Sequence, residues 1–192
     1  MNICIYGAAS KDVKKSFIDA GELLGEQIAE NNHTVVFGGG SSGMMGAVAR
    51  GAYRKRGKII GIVPKFFDVD GVLFENTSEM IYTETMRERK KMLEDKSDAF
   101  LITPGGFGTF DEFFETLTLR QLCAHRKPIA IFNVNGFYNY FIKMFEHAIE
   151  NGFISPENRE LYFISDNPSK ILNYFNNYNP DDTEPAKFRN AK

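Results

Sequence analysis

Short apolar runs alternate with amphipathic stretches from one end of this chain to the other, and that alternation restricts the fold more than any other feature. Strands are read at Asn2 to Tyr6, Thr34 to Phe37, Lys58 to Val63, Met80 to Thr83, Ala99 to Thr103, Pro128 to Phe132 and Leu161 to Ile164. Between them, apolar residues recur at helical spacing: Val13, Phe17, Ala20, Leu24 and Ile28, then Met44, Met45 and Val48, then Met86 and Leu93. Further helices are read from Phe137 to Ile149 and from Pro168 to Phe175. Right-handed crossovers return each strand to the same direction, so the expectation is an α/β fold: a Rossmann-like, doubly wound parallel sheet with helices on both faces. Ligands of such sheets sit beyond the carboxyl ends of the strands. Two glycine-rich segments fall there, Gly38 to Gly43 and Gly105 to Thr109.

At 192 residues and 43% hydrophobic, residues 1–178 suffice for a single domain, and 179–192 read as a polar, flexible tail. The balance of 23 basic and 25 acidic residues gives a net charge of −2, which argues against nucleic acid or an anionic membrane as partner. Any anion must be held locally. Met1-Asn2 leads straight into a strand, and no apolar run approaches the ~20 residues of a membrane span. Cys4 and Cys123 form no CxxC and are read as core residues in a reducing, cytoplasmic setting. His33, His125 and His147 lack metal spacing and are read as surface or helix-end residues, so no metal is expected. The irregular stretch from Phe66 to Ser78 is open to two readings, a lid or a plain loop.

The segment Pro104-Gly105-Gly106-Phe107-Gly108-Thr109-Phe110-Asp111-Glu112 places three glycines, a hydroxyl and two carboxylates where a strand becomes a helix. Glycines admit a ligand close to backbone N–H groups, and a helix N-terminus favours anions, so a phosphate is the expected guest. The helix is expected to open at Thr109 and to bury Phe113, Phe114, Leu117, Gln121 and Leu122. Thr109 and Glu112 also fit a capping box, which would tie Glu112 to its own backbone rather than to a ligand. The first strand ends in Gly7-Ala8-Ala9-Ser10, which lacks GxGxxG, and no P-loop occurs, so NAD and ATP sites are weakly supported. Arg89 and Lys90 flank the Met86/Leu93 stripe, either reaching water from buried stems or facing Glu112 and a bound phosphate.

Taken together, Gly38-Gly39-Gly40 with Gly43-Met44-Met45-Gly46, Met86-Arg87-Glu88-Arg89-Lys90, and the Pro104 to Glu112 segment closely resemble the LOG (Lonely Guy) family, across about Ile3 to Phe175. The resemblance implies a cytokinin riboside 5′-monophosphate phosphoribohydrolase, acting on that substrate or on AMP to give free base and ribose 5-phosphate. It implies a homodimer and no cofactor, with Arg89 and Glu112 as the catalytic pair. Lys90, Gly105, Gly106, Phe107, Gly108, Thr109, Phe110, Asp111 and Thr118 are implied substrate contacts, with Gly39 and Gly40 from the other glycine loop. Arg87 stands where plant members usually have histidine, and Gly7-Ala8-Ala9-Ser10 replaces the usual first turn. Asp68, Asp70 and Glu75 are alternative candidates for the family's acidic contact. A nucleotide-binding or sensing protein without catalysis is the competing functional class. A pyridoxal-dependent lysine decarboxylase is disfavoured, because Lys90 lacks a supporting motif.

Overall fold

The computed structural model describes residues 1–68 and 71–180. Asp70 and nearly all of the 179–192 tail therefore lie outside the described residues. Seven strands, β1 (Asn2–Tyr6), β2 (Thr34–Phe37), β3 (Ile59–Pro64), β4 (Glu79–Thr83), β5 (Ala99–Ile102), β6 (Ile129–Phe132) and β7 (Phe163–Ser165), form one sheet in the order β4-β3-β2-β1-β5-β6-β7. All six pairings are parallel. The strand order reverses between β1 and β5, so the switch point lies where the loops after these strands diverge.

Helices α1 (Lys15–Glu30), α2 (Gly43–Arg54), α3 (Met86–Asp95), α4 (Phe107–Gln121), α5 (Asn139–Glu150) and α6 (Pro168–Asn176) cover the sheet. One core layer joins α1, α2 and α6 to Ile3, Ile5, Val35, Phe37 and Leu101. The other joins Leu93, Phe113, Tyr138 and Phe145 to Cys4, Tyr6, Val36 and Ile62. Alternate residues of each strand serve opposite layers, which is why the inner strands are apolar on both faces. Helices α1 and α2 approach so closely that a Cβ on Gly25 would lie 2.0 Å from the Val48 carbonyl oxygen, and one on Gly51 would lie 1.9 Å from that of Glu22. This contact fixes the start of α2 and hence the Gly38–Gly43 turn.

Several expectations are corrected. Helix α4 opens at Phe107 with Gly106 as N-cap, not at Thr109, because glycine leaves the backbone free to enter the helix two residues early. Its buried residues are Thr109, Phe113, Thr116 and Arg120, whereas Phe114 and Leu122 are 39% and 46% exposed. The hydroxyls turn inward because Thr116 donates to the Glu112 carbonyl, while Arg120 reaches the Lys127 carbonyl and the Tyr178 hydroxyl. Cys123 is exposed in a left-handed turn, not in the core. His125 is buried, not superficial: Nε2 donates to the Thr116 carbonyl and Nδ1 accepts from the Lys127 N–H, which fixes one neutral tautomer. Leu161 closes a 3₁₀ turn before β7 instead of beginning the strand. No helix among the described residues is long and apolar enough to cross a membrane.

Candidate active site

Arg89 lies on α3 between β4 and β5, and Glu112 lies in the second turn of α4, the helix that follows β5. The capping box expected at Thr109–Glu112 forms instead at the head of α3, where Thr85 accepts from the Glu88 N–H and Glu88 accepts from the Thr85 N–H. That cap sets where α3 begins and therefore which side Arg89 presents to the sheet. Arg89 is 6% exposed, so it does not snorkel. Its Nε donates to the Ile62 carbonyl of β3 at 3.2 Å, and its Nη1 donates to Glu112 Oε1 at 2.9 Å.

Gly38, at the end of β2, makes this arrangement sterically allowed. A Cβ there would fall 1.8 Å from Arg89 Nη2 and 3.0 Å from its Cζ. Among the described residues, Nη2 makes no hydrogen bond, nor does Glu112 Oε2, and neither atom is sealed from solvent. One cationic and one anionic corner of the pair are thus left for a ligand. Burial raises the Glu112 carboxyl above its ordinary value of 4.5, opposed by the neighbouring Arg89 guanidinium.

The N-terminus of α4 stands beside this pair. Gly106 caps it without a side-chain hydrogen bond, so the first N–H groups keep no side-chain partner. A Cβ on Gly106 or Gly108 would meet nothing within 4 Å, which describes a cradle open to a guest. Phe107 at its tip is 93% exposed. Thr109 is buried against Gly105, where a Cβ would lie 2.0 Å from the threonine Oγ1. Opposite, the 71–74 segment is clipped to the first glycine loop: Phe74 N–H donates to the Gly39 carbonyl, Ser41 N–H donates to the Val72 carbonyl, and Gly40 bridges to Leu73. The structure thus gathers Arg89, Glu112, Gly39, Gly40 and Gly105 to Thr109 at the carboxyl edge.

Other implied contacts are placed elsewhere. Phe110 stacks on Phe141 at 5.5 Å, inside the aromatic cluster under α5, because its position on α4 faces that helix. Thr118, two turns beyond the cradle, lines a 140 Å³ apolar cavity with Phe114, Phe145 and Tyr162. Lys90 points to the outer side of α4, with Nζ 2.6 Å from Glu115 and 3.2 Å from Asp111, so Asp111 is occupied as well. The hydrogen bond that Lys90 donates to Glu115, aided by the one to Asp111, raises the ammonium above its ordinary value despite partial burial. Glu75 lines a cleft with Arg54 and Arg56 at the amino end of β3, the wrong end of the sheet for the cradle, whereas Asp68 sits on the turn that follows β3. Gly38 and the Ile62 carbonyl were not singled out in the sequence: the first is one of three consecutive glycines, and the second is a backbone atom without a sequence signal.

A family model described as "Possible lysine decarboxylase" matches residues 45–175. The cytokinin riboside 5′-monophosphate phosphoribohydrolases LOG2 and LOG3 of Arabidopsis thaliana are 34% and 35% identical, each over 93% of this chain and over 84% and 83% of their own lengths. The chain belongs to the LOG family. Among solved structures, a molybdenum cofactor binding protein of Rippkaea orientalis is similar with a TM-score of 0.70 at 18% identity, covering 91% of this chain and 94% of its own. That likeness shows the shared Rossmann-type fold alone. The decarboxylase in the family model's description gains nothing from Lys90: an ammonium held protonated by two carboxylates is poorly placed to become a Schiff-base amine.

Proposed function

We propose that this protein hydrolyses the N-glycosidic bond of a nucleoside 5′-monophosphate, a cytokinin riboside 5′-monophosphate or AMP, to free base and ribose 5-phosphate. The observation that carries this reading is the buried Arg89–Glu112 pair, with Nη2 and Oε2 left open beside an uncapped helix N-terminus. The 5′-phosphate is received by the N–H groups of the α4 cradle around Gly106 to Thr109. The ribose then lies across Arg89 and Glu112. As the bond from C1′ to the base nitrogen breaks, its electron pair leaves with the base and positive charge grows on the sugar. The Glu112 carboxylate stabilises that charge and orients the water whose oxygen forms the new bond to C1′; the proton the water loses balances the one the departing base nitrogen gains, while Arg89 anchors the substrate and polarises the base. The curated relatives' names support the reaction class.

The same reading includes residues 1–178 working as one unit, in a homodimer and in the cytoplasm. Support for the dimer comes from the apolar side chains that α4, α5 and their flanks leave open, among them Phe107 at 93%, Tyr140 at 83% and Phe153 at 86% exposure. A sensing role without catalysis is disfavoured because such a protein has no need of a buried carboxylate with one free oxygen next to the sugar position.

The test is Glu112→Gln, which keeps the side-chain shape and an acceptor for Arg89. Base release should fall by ~10²–10³-fold, since removing a single electrostatic stabiliser costs about that much, while calorimetric binding of AMP persists. Wild-type rates of base release in this variant would remove Glu112 from the mechanism.

A further inference from the structure

Hydroxyl groups are costly in an apolar core unless each finds a partner, and a row of them runs beneath the candidate active site. Tyr6, Thr103, Thr116 and Tyr138 are each at most 5% exposed. Strand β5 pairs with β1 and β6 only as far as Ile102, so the Thr103 carbonyl stands past both ladders. A buried carbonyl needs a donor, and the Tyr138 hydroxyl at the head of α5 supplies one at 2.8 Å. That carbonyl belongs to the peptide joining Thr103 to Pro104, so the bond grips the chain as it leaves β5 for Gly105 and the cradle.

The row continues into β1. Thr103 Oγ1 donates to the Tyr6 carbonyl at 2.9 Å, beside the 2.8 Å bond from the Thr103 N–H. Gly7 leaves room for that hydroxyl, since a Cβ there would lie 2.1 Å from it. The Tyr6 phenol lies 3.4 Å from Thr116 Oγ1, which donates to the Glu112 carbonyl at 2.8 Å. Tyr6 therefore meets the strand that delivers the cradle through its backbone, and the turn that delivers Glu112 through its side chain. Burial pushes the Tyr6 and Tyr138 phenols above their ordinary value, so both stay neutral hydrogen-bonding groups while Glu112 is ionised. Phenylalanine and valine have nearly the same shapes as tyrosine and threonine and would fill the same space. What the hydroxyls add is direction: one fixes the carbonyl at the entrance to the cradle, another the carbonyl of the residue that bears the carboxylate.

We propose that this relay, from Tyr138 through Thr103 and Tyr6 to Thr116, sets the phosphate cradle and Glu112 at their working separation, and that Tyr138 and Thr116 are positioning residues for hydrolysis. It rests on the hydrolase reading given above and extends it to side chains that act through the cradle and Glu112, not on the substrate.

The experiment measures kcat, KM and calorimetric AMP affinity in the wild type, Tyr138→Phe, Thr116→Val, Thr116→Ser and Tyr138→Phe/Thr116→Val, with a melting curve for each. Tyr138→Phe should weaken AMP binding and raise KM about tenfold, the worth of one well-placed hydrogen bond. Thr116→Val should lower kcat about tenfold and leave AMP affinity near that of the wild type, because Glu112 acts on the sugar and not on the phosphate. Thr116→Ser keeps the hydroxyl and should recover most of kcat. In the double variant kcat/KM should fall by less than the product of the single losses, since cutting the relay at one end already loosens the other. Should Thr116→Val fail to fold, Tyr6→Phe breaks the same contact from β1 and should show the same fall in kcat. Wild-type kinetic constants in folded Tyr138→Phe and Thr116→Val overturn the proposal, whatever their melting temperatures, as does a serine variant as slow as the valine one. Losses that multiply in the double variant overturn the relay as one unit. Release of base by no protein, the wild type included, removes the hydrolase reading itself, and the positioning role falls with it.

Discussion

Replacing Arg89 by methionine keeps the length and much of the volume of the side chain but strips Glu112 of its buried partner. The carboxyl is 11% exposed and already titrates above 4.5 because of burial, so without the guanidinium it protonates rather than remain a lone buried anion. Binding that proton at pH 7, starting from an ordinary value of 4.5 in the unfolded chain, costs at most about 3 kcal/mol, and about 1 kcal/mol at pH 5. For a chain of this size that is a fall in melting temperature of ~6–12 °C at pH 7 and ~2–4 °C at pH 5. Glu112→Leu behaves differently, since it leaves no carboxyl to take up a proton; the loss should be about 3–5 kcal/mol and nearly independent of pH. The double variant Arg89→Met/Glu112→Leu should recover most of the stability while remaining inactive, because replacing both members of a buried pair by apolar groups is close to neutral. The assay is thermal and urea unfolding of the four proteins at both pH values. A methionine variant as stable as the wild type at pH 7, or losses that simply add in the double variant, would refute the view that these side chains form one buried pair.

Gly38→Ala should displace the Arg89 guanidinium, since the new Cβ would lie 1.8 Å from Nη2. A shift of that order should lower kcat/KM by ~10²-fold and stability by ~1–3 kcal/mol; wild-type kinetics would show that Arg89 is not held where the structure puts it. The acid limb of the pH–rate profile should lie above 4.5, because activity needs ionised Glu112 and burial raises its carboxyl, so the rate falls as pH drops through that raised value. A limb at or below 4.5 would contradict this. His125 is held neutral in the fold, with its value pushed down to about 4 from 6.5 by burial. Its contribution to stability is complete above 6.5 and is lost progressively as pH falls to about 4. The loss has a ceiling of about 3 kcal/mol, lowered by solvent screening, and His125→Gln should flatten that part of the stability curve.

The sheet was legible because its strands are buried on both faces and announce themselves as apolar runs, and the helices between them carry one apolar stripe each. Element ends were less legible. Helix α4 begins at Phe107 because glycine at 106 accepts the N-cap conformation without a side-chain signal, and the Thr–Glu spacing that marks such ends was realised at Thr85 and Glu88 instead. The meeting of Arg89 with Glu112 was anticipated from helix order and resemblance, but its geometry rests on Gly38 and the Ile62 carbonyl, which only the folded chain reveals. Phe110, Asp111, Lys90 and Thr118 share the motif's sequence neighbourhood, yet on a helix successive residues point about 100° apart, so their side chains meet other partners: Phe110 meets Phe141, Lys90 meets Asp111 and Glu115, and Thr118 lines the apolar cavity. His125 and Cys123 exchanged their expected environments because the turn after α4 tucks the imidazole under the Thr116 carbonyl and turns the thiol outward.

The most direct measurement of the central claim is chromatographic quantification of free base and ribose 5-phosphate after the purified protein is incubated with AMP, with isopentenyl-AMP and with the two corresponding nucleosides. Release of base and ribose 5-phosphate in equal amounts from at least one 5′-monophosphate, with no cleavage of its dephosphorylated nucleoside, is the predicted result. Cleavage of nucleoside and nucleotide at equal rates, or of neither, would contradict a site in which the α4 cradle holds the phosphate and Arg89 and Glu112 act on the sugar.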